Sequence, residues 1–162
     1  YMTMISPEEY DEVGTWGNLY ADFISESILT VIQPSIEEIT GLSLLPTYSF
    51  IRLYKTGSIL LQHTDNPPCE VGCSMTIGYE ADELWPLLFH SEKQEDGYYD
   101  SDSKDSVLLD QGESVVYKGT KVSHSREMLT DLIQSINTMV DVHWVCHSLL
   151  GAPVDLPLIE WR

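Results

Sequence analysis

The segment TYSFIRLYKTGSILLQH, residues 47 to 63, decides the fold class. TYSFIRLY is rich in aromatic and β-branched residues, which suit a pleated, half-buried surface. KTGS supplies glycine and serine for a turn, and ILLQH resumes the apolar run. The pattern predicts strand, turn, strand.

The same texture continues downstream. VGCSMTIGY, LWPLLF, VLLD, SVVYK, VSHSREM and INTMVDVHWV each read as a short strand. With TYSFIRLY and ILLQH they make about eight, and no helical stretch interrupts them. A mainly β fold follows, a double-stranded β-helix of jelly-roll, cupin-like form over about residues 47 to 145. Upstream, WGNLYADFISESILTVI places Leu19, Phe23, Ile24, Ile28, Val31 and Ile32 at helical spacing. Pro34 then opens a second short helix, PSIEEIT, which Gly41 closes. This predicts a helical cover over residues 16 to 41. The tail GAPVDLPLIEWR, within residues 150 to 162, is expected along the outside. Residues 1 to 162 are read as one domain.

Bulk composition narrows the partners. Hydrophobic residues make up 43% of the chain, enough for a core, and no apolar run is long enough to span a bilayer. The acidic, proline-broken start YMTMISPEEYDE is unlike a secretory signal. Three cysteines do not make a disulfide framework, which points to a reducing, cytoplasmic setting. A formal charge of -18 repels nucleic acid and anionic membranes, so neither is expected as a partner. Oligomeric state leaves no mark in the sequence. Arg52, Lys55, Lys118, Lys121 and Arg126 are concentrated in SFIRLYKTG and VVYKGTKVSHSRE. Should those stretches meet in space, they would form a positive place suited to an anionic small molecule.

The chemistry is carried by His63 and Asp65, two apart at the end of an apolar run. Residues i and i+2 of a strand point the same way, so both donors would converge. His124, in VSHSRE, supplies a third. Two histidines and one carboxylate form the facial triad that holds non-haem ferrous iron and leaves coordination positions open. His90, His143 and His147 read as structural or surface groups. Cys69 and Cys73 read as buried free thiols; the alternative is a zinc site completed by Cys146 and His147.

With these residues in view, the chain resembles the Fe(II)- and 2-oxoglutarate-dependent oxygenases, in particular the compact prolyl-4-hydroxylase-like group of phage and bacteria. IRLYKTGSILLQHTDNP, MTIGY and LDQGESVVYKGTKVSHSRE carry the resemblance, over roughly residues 48 to 145. It implies an enzyme, a dioxygenase that hydroxylates a peptide side chain or a small molecule. O2 and 2-oxoglutarate would be consumed, succinate and CO2 released, and ascorbate would serve as a reductant. Fe(II) would sit on His63, Asp65 and His124, in the cytoplasm of a bacterial cell or phage-infected host. Tyr54 and Tyr79 would offer hydroxyls to 2-oxoglutarate. The carboxylate of Asp65 favours hydroxylation over halogenation.

One position departs from the group. Its basic residue for the far carboxylate of 2-oxoglutarate lies nine or ten residues beyond the distal histidine, where this chain has Ile133 and Gln134. Arg126, two residues past His124, would lie on the same side of a strand about 6 to 7 Å away. Arg52, on the face of Tyr54, is the second candidate. The alternative to an enzyme is a cupin-like metal-binding or structural barrel without turnover. Residues 90 to 106, HSEKQEDGYYDSDSKDS, form either a solvated loop or a mobile lid.

Overall fold

A computed structural model describes residues 17–80, 82–90 and 104–130 in full, and the backbone strands at 4–5, 137–146 and 159–161. The chain order is β1 (Met4–Ile5), β2 (Gly17–Tyr20), α1 (Phe23–Thr40), β3 (Leu44–Tyr54), β4 (Leu60–His63) and β5 (Val71–Tyr79), followed by β6 (Leu87–His90), β7 (Lys104–Val107), β8 (Ser114–Lys118), β9 (Ser123–Arg126), β10 (Asn137–Cys146) and β11 (Ile159–Trp161).

Two sheets result, with the orders β1-β2-β3-β10-β5-β8-β11 and β4-β9-β6-β7. Four strands of the larger sheet, β3, β10, β5 and β8, lie over the four of the smaller one. From β3 to β10 the chain changes sheet at every connection except the β6–β7 hairpin, as in the double-stranded β-helix expected from the strand series. β1 and β2 extend one edge, and β11 extends the other by pairing with β8. Of the tail expected along the outside, only β11 is described, and it lies at a sheet edge.

Strand alternation separates two cores. Between the sheets pack Tyr54, Leu60, Leu87, Phe89, Val107, Val115 and Tyr117, drawn from both. On the far face of the larger sheet, Ile51, Val71, Cys73 and Val116 meet Leu29 and Ile36 of α1. Val115 and Val116 are neighbours in sequence and belong to different cores, as a period of two requires.

The predicted helical cover needs correcting at three points. Residues 17–20 are not helical; they form β2 and pair with Phe50 to Leu53, so their polar backbone groups serve the sheet edge. The helix starts at Phe23, where the Asp22 side chain accepts the Ile24 N–H at 2.8 Å. Nor does Pro34 open a second helix. α1 runs through it to Thr40, and Gly41, at φ 69°, closes it by donating its N–H to the Glu37 carbonyl. Leu29 and Ile36 are seven apart and share one buried face, so packing on both sides of the proline holds a single axis. The buried stripe is Ser25, Leu29 and Ile36, whereas Phe23 and Val31, part of the apolar spacing read from the sequence, are 86% and 74% exposed.

The strand expected at VLLD begins earlier, at Lys104, and ends at Val107. Of the loop expected over 90 to 106, residues 91–103 lie outside the described residues, as do Ile133, Gln134, His147 and the side chains of His143 and Cys146. No helix among the described residues is long and apolar enough to cross a membrane.

Candidate metal centre

The smaller sheet places the two histidines opposite each other. In the β4–β9 pair, His63 stands across from His124 and Leu60 across from Arg126. Three residues on β4 thus span two on β9, and the bulge turns both Leu60 and His63 toward the interior. His63 ends the strand. Asp65 lies two residues beyond it, in a turn, so strand parity is not what aims the carboxylate. Its position is set from across the fold: the Asp65 N–H donates to the Gly119 carbonyl at 2.8 Å, and the Gly119 N–H donates to Glu70 at 3.1 Å.

Glycine is required at this contact. A Cβ on Gly119 would stand 2.3 Å from the Cys69 carbonyl oxygen and 2.4 Å from Asp65 Oδ2. A Cβ on Gly72 would stand 2.8 Å from the Tyr117 ring and 3.1 Å from the same oxygen. Two glycines distant in sequence thus make the space that the carboxylate fills.

The donor atoms of His63, Asp65 and His124 all lie within 4.8 Å of one another, the one such cluster among the described residues. Asp65 Oδ1 is 3.8 Å from His63 Nε2 and 3.7 Å from His124 Nε2. Both separations are too long for a hydrogen bond and leave room for an ion between the donors. Each imidazole is also oriented for ligation. His63 Nδ1 lies 2.8 Å from the Leu61 carbonyl, and His124 Nδ1 lies 3.3 Å from the Val122 carbonyl. A carbonyl can only accept, so each Nδ1 carries hydrogen. The neutral ring then keeps its Nε2 lone pair on the side of Asp65. Two imidazole nitrogens and a carboxylate oxygen suit ferrous iron and related divalent ions. The donor set, its spacing and its tautomers fit the metal that the sequence suggests.

A pocket opens on this cluster. Arg52, Tyr54 and Arg126 line it, as do Leu60, Ser74, Leu87 and Tyr117. Of the basic residues expected to gather, therefore, two arginines reach one pocket, while Lys55, Lys118 and Lys121 are not among its lining residues. Arg126 is 3% exposed; its Nη1 donates to the Trp85 carbonyl, and its guanidinium stacks 4.9 Å from the Trp85 ring. Arg52 is half-buried and reaches the Tyr54 hydroxyl at 3.5 Å.

Tyr79 does not join them. Its hydroxyl donates to Asp110 Oδ1 at 2.7 Å, which raises the phenol pKa and lowers that of the carboxyl. Tyr79 lies beyond a bulge in the β5–β10 pair, where Thr138 faces Gly78 and Met139 faces Thr76, and it is not among the residues that line the pocket, whereas Ser74 is. Tyr117, Ser74 and the two cradling glycines were not singled out in the sequence. Parity with Gly72 would have pointed to Ser74, but the glycine contacts carry no local signal. The thiol of Cys69 donates to the Tyr48 hydroxyl at 2.9 Å, and burial pushes the pKa of both groups up. Cys73 packs in the helix-side core, so these two read as free thiols.

No family model matches the sequence, and no curated protein matches it. Solved structures do share the fold. An oxidoreductase of the 2OG-Fe(II) oxygenase family from Burkholderia pseudomallei superposes with a TM-score of 0.57 at 14% identity, over 74% of this chain and 56% of that one. A Pseudomonas putida prolyl-4-hydroxylase superposes with a TM-score of 0.53 at 12% identity, over 84% of this chain and 79% of that one. This chain thus spans little more than half the length of the first. The fold is the one these oxygenases use.

Proposed function

We propose that the protein is an Fe(II)- and 2-oxoglutarate-dependent dioxygenase that hydroxylates a peptide side chain or a small molecule. The observation that carries this reading is the convergence of His63, Asp65 and His124 at the mouth of a pocket whose wall holds a buried arginine. When bound there, ferrous iron activates O2 together with the 2-oxo acid, yielding succinate, CO2 and an oxidised substrate.

The chain's own part is positioning and exclusion of water. His63 and His124 each present an Nε2 lone pair because a backbone carbonyl holds the opposite nitrogen. Asp65 brings the negative charge that partly neutralises a divalent ion. Arg126 lies on the same strand as His124, two residues along. That is a step of about 6 to 7 Å, the span of a five-carbon diacid held at both ends. Its guanidinium receives the distal carboxylate of 2-oxoglutarate, and the Tyr54 hydroxyl lies on the same pocket wall. Arg52, less buried, stands second for that role. Leu60 and Leu87, both buried, keep that end dry, which strengthens the ion pair.

The direct test supplies Fe(II), ascorbate, 2-oxoglutarate and air to the purified chain and measures succinate. Iron-dependent succinate that disappears in Asp65→Ala supports the oxygenase. A protein that binds iron yet forms no succinate, with or without candidate substrates, is the metal-binding barrel instead.

A further inference from the structure

Trp85 lies outside the strands, in the segment before β6, and touches two residues of the pocket wall, Arg126 and Tyr54. Its carbonyl accepts from Arg126 Nη1, and its ring lies under the Arg126 guanidinium at 4.9 Å. The same ring meets Tyr54 edge-on at 4.9 Å, with an interplanar angle of 70°. Its indole N–H donates to the Glu127 carbonyl at 3.0 Å, which ties the ring to the residue following Arg126. Trp85 itself is 5% exposed, and Tyr54 is 1% exposed.

An arginine side chain has many rotamers, and burying its charge is costly unless its N–H groups and its flat faces are both engaged. Here one partner residue does both. The carbonyl fixes one edge of the fork and the indole fixes its plane, where Arg126 lines the pocket. The indole also backs Tyr54, another polar residue of that pocket. No smaller side chain at position 85 could contact Tyr54, Arg126 and Glu127 together.

We propose that Trp85 is the positioning residue for Arg126 and the end-stop of the co-substrate pocket, selecting a five-carbon over a six-carbon 2-oxo diacid. This rests on the oxygenase reading. The distance from the metal-binding layer, where His63 faces His124, to the layer of Leu60 and Arg126 is fixed by the β4–β9 register. The guanidinium cannot retreat from that layer, because the indole and the Trp85 carbonyl stand behind it. One additional methylene must then be compressed, and discrimination of one methylene in a closed apolar site is worth roughly 10- to 200-fold.

The test measures binding, not turnover. Mn(II)-loaded protein is titrated calorimetrically with 2-oxoglutarate and with 2-oxoadipate, for wild type, Trp85→Phe, Trp85→Leu and Arg126→Ala. Wild type should prefer 2-oxoglutarate by at least about tenfold. Trp85→Phe keeps a flat apolar face but is shorter. It should hold 2-oxoglutarate within about fivefold of wild type while the preference over 2-oxoadipate narrows severalfold. Trp85→Leu loses the stacking face, so its 2-oxoglutarate affinity should fall about tenfold and its preference should nearly vanish. Trp85→Phe is the variant that folds most safely, so the change in preference can be read even if Trp85→Leu is unstable. Wild-type preference in Trp85→Phe overturns the end-stop. Wild-type affinity and preference in Trp85→Leu, with Arg126→Ala impaired, shows that Trp85 is only structural. If Arg126→Ala itself binds 2-oxoglutarate like wild type, the fault lies in the assignment of Arg126.

Discussion

Tyr54 and Tyr79 were expected to share a role, and their surroundings separate them. Tyr54 is buried in the pocket wall, while the Tyr79 hydroxyl is committed to Asp110. Tyr79→Phe should therefore leave 2-oxoglutarate affinity unchanged. Tyr54→Phe removes a hydroxyl from the wall and should weaken it about 2- to 10-fold, the worth of one neutral hydrogen bond. Equal losses in a co-substrate titration of the two variants would contradict this placement. At Arg126 the expected cost is larger, because a charged hydrogen bond is worth about 1.5 to 3 kcal/mol, or roughly 10- to 100-fold in affinity. That His63, Asp65 and His124 come together was legible in their types, order and place at strand ends, the pattern a metal site would need. The Tyr79–Asp110 hydrogen bond joins two residues 31 apart in sequence and leaves no local signal, so the resemblance alone spoke for Tyr79.

The elements show a second limit of sequence reading. The β series was visible in its composition, and each of the eight strands appears near its expected place. The β4 bulge that turns Leu60 and His63 inward, and the docking of the 64–70 turn on Gly119, arise between elements and leave no periodic signal. Gly119→Ala tests that docking. The added methyl must displace the Cys69 carbonyl or Asp65, a clash costing about 1 to 3 kcal/mol, and metal affinity should fall with it. Gly78→Ala, where a Cβ meets nothing within 4 Å, is the matched control and should change stability by less than about 0.5 kcal/mol. Chemical denaturation and metal titration of the pair decide the matter; unaltered metal binding in Gly119→Ala would remove the docking from the account.

The β6–β9 pair carries a pH-dependent contact of its own. His90 Nε2 lies 2.8 Å from the Ser125 hydroxyl, and burial, with Lys104 nearby, lowers the His90 pKa. A lowered pKa means that the unfolded chain binds more protons than the folded one between the two values. This contribution to stability is therefore full above the unfolded value, near 6.5, and is lost as pH falls toward the folded value. His90→Gln should flatten the fall in unfolding free energy between pH 7.5 and 5.5, measured by urea titration. An unchanged slope would show that His90 titrates normally.

At the scale of the whole molecule, the charge of -18 and the pocket are complementary facts. An acidic surface would slow the approach of the proposed dianionic co-substrate, and two arginines in one pocket would supply the local attraction that the surface lacks. Raising ionic strength screens the surface charges more than the buried ones, so co-substrate association should quicken with moderate salt. Stopped-flow mixing at two salt concentrations checks the sign, and a slower rate at higher salt would mean that the local field dominates. Helix α1 was legible as a helix, but its buried side was not. Phe23 and Val31, read as part of the apolar helical pattern, face outward, and Ser25, absent from that pattern, makes the contact with Ser49 of β3.

The central claim is that His63, Asp65 and His124 together hold one divalent ion, and anaerobic calorimetric titration of Fe(II) into the metal-free protein tests it most directly. The account predicts one ion per chain in the wild type, and in Asp65→Ala an affinity lower by at least about tenfold with the fold retained by circular dichroism. One-to-one binding at wild-type affinity in Asp65→Ala would contradict it.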